Sequence, residues 1–118
     1  MLFEACDKTT TPALVGKWQL KTVEKSDIET AVDTVWYNFQ SESVFTLQIY
    51  VPQQDRYLQL PGLKKQENDV LFIRFEFDDH IEYSDWSGRE RSFTIEQLNR
   101  RKLILRSEEG DRYSFIKF

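Results

Sequence analysis

The sequence predicts an all-β chain, an up-and-down antiparallel barrel of about eight short strands. Three observations carry that prediction. Apolar and polar residues alternate with a period of two in successive short runs, which puts one side of each run in a core. The runs are separated by turn-forming residues and follow one another locally, as antiparallel neighbours do. No segment has the length and periodicity of a helix able to cover a sheet face, so the sheet must close on itself to bury its apolar side and remove its edges. The composition agrees: of 118 residues 40% are hydrophobic and 14% aromatic, enough for one core and suited to pleated surfaces.

The elements follow in order. Thr11 caps a single helical turn that begins at Pro12 and delivers the chain into a strand, Leu14 to Glu24, with Val15, Trp18, Leu20 and Val23 as its apolar positions. Ser26 to Asp33 is polar and reads as a loop with one helical turn. Thr34 to Gln40 sets Val35, Tyr37 and Phe39 against Trp36, Asn38 and Gln40, and Ser41-Glu42-Ser43 turns it into Val44 to Val51, whose inner face is Phe45, Leu47, Ile49 and Val51. Pro52 stops that run, Arg56 to Leu60 is a short strand, and Pro61-Gly62 reads as a turn. Val70 to Phe77 is the strongest strand signal, with Leu71, Ile73, Phe75 and Phe77 inward. Asp78 to Arg91 is irregular and reads as a short strand between loops. Arg91 to Leu98, with Phe93 and Ile95 inward, turns at Asn99-Arg100-Arg101 into Lys102 to Ser107, and Glu108 to Asp111 turns again into a last strand carrying Tyr113 and Phe115.

Several chemistries find little support. The formal net charge of −4 works against nucleic acid or an anionic membrane surface as the general partner. A lone cysteine, Cys6, excludes an intrachain disulfide, and with His80 as the only histidine there is no soft-ligand cluster for zinc. Asp78, Asp79 and Glu82 flank His80, but their spacing specifies neither a general base nor a metal site, so no catalytic residue, metal or cofactor is expected and the chain reads as a non-enzyme. Arg89, Arg91, Arg100, Arg101 and Lys102 form the one basic concentration, read either as hairpin solubility or as a barrel mouth facing an anionic head group.

Two stretches carry a family resemblance. Leu14-Val15-Gly16-Lys17-Trp18 looks like an opening Gly-any-Trp element, and Phe93 to Leu98, Lys102 to Leu105 and Tyr113 to Phe115 look like a closing hairpin and strand. In these the chain resembles the lipocalin-like domains of the calycin group, especially the small bacterial ones on secreted lipoproteins. The resemblance implies a barrel holding a small apolar molecule, a floor closed by Gly16 and Trp18, and an Arg near the last strand packed over Trp18, for which Arg112 and Arg101 are the candidates. The start, Met1 to Asp7, is similar to the end of a bacterial lipoprotein signal, with Ala5 before a lipid-accepting Cys6; the alternative is a frayed terminus with an incidental thiol. Residues 1–11 are then a flexible tether and 12–118 the barrel, placed in the cell envelope, periplasmic or lipid-anchored at the outer membrane, or secreted.

The expected function is non-enzymatic binding of a small hydrophobic or amphipathic ligand by a monomer, touching membrane only through a lipid on Cys6. The expected contacts are Tyr37, Phe39, Phe45, Leu47, Phe75, Phe77, Phe93 and Tyr113, inward aromatics and aliphatics of the central strands. The same residues can instead fill a small barrel, leaving it a scaffold for protein interaction or inhibition; Trp36 and Trp86 are each a candidate partner-surface or rim residue, and the irregular Asp78 to Arg91 segment is the expected mouth. Inward phenols at Tyr37 and Tyr113 favour a pocket, since each needs a hydrogen-bond partner.

Overall fold

The computed structural model describes residues 14–118. The tether, the helical turn at Pro12 and Cys6 lie outside the described residues. Among the described residues nine strands form one antiparallel sheet: β1 (Gly16–Lys25), β2 (Ile28–Ala31), β3 (Val35–Phe39), β4 (Val44–Val51), β5 (Arg56–Glu67), β6 (Val70–Phe75), β7 (Glu90–Leu98), β8 (Lys102–Ser107) and β9 (Arg112–Lys117). From β3 to β9 each strand pairs with the next, and β9 returns to pair with β1. Eight strands thus close an up-and-down barrel as the sequence predicts, and β2 is an additional strand paired with β1 alone.

On one side β1 meets β9 over Trp18 to Glu24; on the other it serves β3 with Gly16 to Gln19 and β2 with Thr22 to Lys25. The change of neighbour coincides with a β-bulge, because the register to β9 shifts between Leu20 and Thr22. Lys21, the extra residue, is exposed and its carbonyl accepts the Val32 N–H at 2.8 Å. A bulge moves the inward face by one position. Trp18 and Leu20 point in below it, and Val23 and Lys25 point in above it.

Two expected turns are corrected. Ser26 to Asp33 is a hairpin and not a loop with a helical turn: Lys25 pairs with Ile28, so Ser26 and Asp27 are the whole connection, at φ 51° and 66°. Left-handed conformations at both central residues match the twist of the flanking strands. Without a glycine the pair carries no obvious turn signal, and β2 is exposed throughout.

The second correction concerns Pro61-Gly62, which lies inside β5 and does not end it. In an antiparallel pair a residue's N–H and C=O face the same neighbour. The Pro61 carbonyl accepts the Glu76 N–H at 3.0 Å, one residue beyond the end of β6. The Glu76 carbonyl, which an ordinary residue at 61 would reach with its N–H, accepts the Arg89 guanidinium at 2.9 Å instead. Gly62 lets β6 come close, since a Cβ there would stand 2.5 Å from the Arg74 carbonyl oxygen.

At the lower end the barrel is closed. Trp18 is fully buried and its indole N–H donates to the Leu14 carbonyl at 3.0 Å. The cation over its ring is neither Arg112 nor Arg101 but Lys117, with Nζ 4.6 Å from the ring centroid and donating to the Val15 carbonyl at 3.0 Å. Gly16, at φ 138°, leaves room for that ammonium, which a Cβ would strike. Arg112 lies 3.8 Å from both Glu24 and Glu96 on the outer face.

Trp36 is on the outer face of β3 yet only 7% exposed, covered by Tyr57 and Phe118. Its buried indole N–H has no acceptor among the described residues. Asp78 to Arg89 holds no strand, in contrast to the sequence reading, but one 3-10 turn, Ile81–Tyr83, entered through His80 at φ 68°.

Gly62→Ala is expected to lower stability by about 1–3 kcal/mol, because backbone and not a flexible side chain must move. A lower urea midpoint reports it. Gly88→Ala, whose Cβ would meet nothing within 4 Å, serves as the unchanged control.

Candidate functional site

The upper end of the barrel is open. A cavity of about 550 Å³ lies between the β1–β2 hairpin, the facing stretch of β3 and β4, and the segment Tyr83 to Trp86. Leu20, Val23, Val35, Leu47 and Ile49 form its apolar walls. On the hairpin Ile28, Thr30 and Val32, alternate residues and therefore on one face, supply another wall.

Trp86 separates this cavity from the filled part of the barrel. It is 5% exposed, its ring lies 4.4 Å from that of Phe75 and 6.0 Å from that of Phe93, and its N–H donates to the Tyr37 hydroxyl oxygen at 3.3 Å. The irregular segment is built to deliver it. The Ser84 hydroxyl donates to the Ile81 carbonyl at 2.7 Å and accepts the Trp86 backbone N–H at 3.1 Å. Arg89 ties the far end of the segment to the carbonyls of Phe75, at 3.2 Å, and Glu76.

A charged network underlies the mouth. Arg91 follows the inward phase of Phe93, and its guanidinium sits 5.5 Å from the rings of Trp86 and Phe93 and 5.2 Å from that of Tyr113. It donates to Asp85 at 3.2 Å and lies 3.6 Å from Glu109. Asp85 also accepts the Tyr113 hydroxyl, and Lys25 stands 3.8 Å from both Asp85 and Asp111. Burial, then the charge of Asp85, pushes the Tyr37 phenol well above its ordinary value. Burial, then the hydrogen bond to Asp85, does the same to Tyr113. Burial works against the Arg91 charge, but Asp85 and the other partners outweigh it and the net shift is upward.

Of the expected contacts, Tyr37 and Leu47 line the cavity. Phe39, Phe45, Phe75, Phe93 and Tyr113 are buried and pack on one another beneath it, with ring centroids 5.2 Å apart for Phe39 and Phe45 and 5.6 Å for Phe93 and Tyr113. Phe77 is corrected: β6 ends at Phe75, the chain turns away, and Phe77 is 59% exposed. Arg89 and Arg91 serve backbone carbonyls and the internal network and do not form a basic surface. Asp85, Lys25 and the hairpin wall are not among the expected contacts, and Trp86, expected at a rim or on a partner surface, lines the mouth cavity and is buried. Alternation with Phe93 could have identified Arg91 as inward, and the period of Ile28, Thr30 and Val32 could have identified β2; nothing local marks the bulge that turns Lys25 inward.

A family model described as a lipocalin-like domain matches residues 1–118, the whole chain. The chain belongs to the lipocalin-like family. Two crystal structures are similar to this lipocalin-like domain. A lipocalin-like protein from Bacteroides uniformis is 25% identical with a TM-score of 0.79, over 90% of this chain and 99% of the other. A protein from Bacteroides eggerthii is 26% identical with a TM-score of 0.73, over 88% and 98%. Among curated proteins none matches.

The two inner phenols make alkaline pH a probe of this lipocalin-like domain. Each ionises near pH 10 when unfolded and higher when folded, so their contribution to stability is complete below pH 10 and is lost as pH rises beyond it. The expected loss is up to about 1.4 kcal/mol per pH unit for each. Phenolate absorbance at a pH of about 11 should be smaller in the native chain than in denaturant, and Tyr37→Phe and Tyr113→Phe should each narrow that gap.

Proposed function

We propose that this lipocalin-like domain is a non-enzymatic binding protein that takes a small hydrophobic or amphipathic molecule into the cavity at the barrel mouth. The observation that carries the reading is the cavity itself: about 550 Å³, walled by aliphatic side chains, with a few polar groups gathered at Tyr37, Lys25 and Asp85. That size lies within the roughly 300–1,000 Å³ of small-molecule sites, and an apolar wall with few polar groups is their usual make-up. The scaffold reading loses its anchors, since Trp36 and Trp86, the aromatic candidates for a partner surface, are both buried.

N-phenyl-1-naphthylamine, an uncharged probe whose fluorescence rises in apolar surroundings, tests the site. Val35→Trp, a half-buried wall position, should weaken its binding at least about tenfold, the cost of filling an apolar pocket, with the unfolding midpoint preserved. Undiminished binding in that variant would remove the mouth as the site.

The place of action is proposed as the cell envelope, with the chain tethered through a lipid on Cys6. Ala5-Cys6 followed by the polar run Asp7 to Thr11 supports it. Palmitate labelling in a bacterial host should be present in the full chain and lost in Cys6→Ser; label retained in that variant, or absent from both, refutes the anchor.

A further inference from the structure

Tyr37 is the most buried polar side chain on the cavity wall, 1% exposed. Its oxygen accepts the Trp86 N–H, while its own O–H hydrogen has no acceptor among the described residues. A phenol is protonated at neutral pH and burial moves this one further from ionising, so it can donate. A buried donor without a partner is costly, and a bound molecule that supplies an acceptor recovers the cost.

The charges nearby restrict what that acceptor is. Lys25 and Arg91 connect Asp85, Glu109 and Asp111 into one set, two positive charges against three negative. Neither cation is free, because each already faces two carboxylates. A further anion brought to Tyr37 would be desolvated beside a set that is net negative. A ligand hydroxyl would satisfy Tyr37 but introduce a donor of its own to be paired, whereas a carbonyl oxygen only accepts.

We propose that the mouth cavity selects an uncharged, largely apolar molecule carrying a carbonyl oxygen, that this oxygen accepts the Tyr37 O–H, and that fatty-acid carboxylates are disfavoured. This rests on the reading of the mouth as a ligand site. Three probes of equal chain length separate the two: decane, 2-decanone and decanoate, titrated at neutral pH and followed by amide chemical shifts of the hairpin and the Tyr83 to Trp86 segment.

Decanone should bind about fivefold more tightly than decane, the net worth of one ordinary hydrogen bond, and decanoate should bind less tightly than decanone. Tyr37→Phe should bring decanone down to the affinity of decane. The double variant Glu109→Gln, Asp111→Asn should tighten decanoate several-fold and leave decanone unchanged, and it keeps the test valid if Tyr37→Phe unfolds. Equal affinity of wild type for decane and decanone overturns the carbonyl proposal while leaving the apolar site standing. Decanoate binding more tightly than decanone overturns it too. Absence of mouth shifts with all three probes overturns the site itself.

Discussion

The architecture depends on how β1 divides its hydrogen bonds. A closed sheet has no spare edge, so every strand owes one side to each neighbour. Here β9 takes one side of β1 almost throughout, and on the other β3 takes the lower part and β2 the upper. The barrel is therefore continuous at its floor and lacks one of its ordinary neighbours at its mouth. The bulge at Lys21 is the local adjustment that makes the exchange possible, since it supplies a carbonyl for Val32 and reverses the phase of the residues above it. Cavity, hairpin wall and inward Lys25 all descend from that exchange.

The two ends solve opposite problems with related chemistry. At the floor an indole is sealed by a flexible ammonium lying over its face, with both polar groups ending on backbone carbonyls. At the mouth a second indole is held by a phenol, and a guanidinium lies against its ring. The mouth carries more buried charge, tolerable because Arg91, its most buried charged group, meets both Asp85 and Glu109. Arg89 adds a separate device. Its guanidinium takes the place of the donor that Pro61 lacks and, in doing so, anchors the segment that carries Trp86.

Alternation was readable wherever a strand had one buried face and one wet face, as in β4, where Phe45, Leu47, Ile49 and Val51 are buried and the residues between them are not. It failed at β2, which buries neither face, and past Phe75, where the period continues to Phe77 after the pairing has stopped. Pro61-Gly62 misled for a different reason. Proline interrupts a strand when its missing donor faces a neighbouring strand, and whether it does so depends on where β6 ends. Of the expected contacts only Tyr37 and Leu47 line the site, because alternation says which residues point in and not how far up the barrel each one stands.

The sequence by itself determined the class of fold and most of the core, which follow from hydrophobic period and turn chemistry, and it carried the family resemblance in Gly16-Lys17-Trp18 and the closing strands. Only the tertiary structure decided that Lys117 covers Trp18, that Trp86 divides the barrel, and that Tyr37 accepts the Trp86 N–H at the cavity wall. These are contacts between residues far apart in the chain, set by strand register and one bulge. Local pattern carries no record of either.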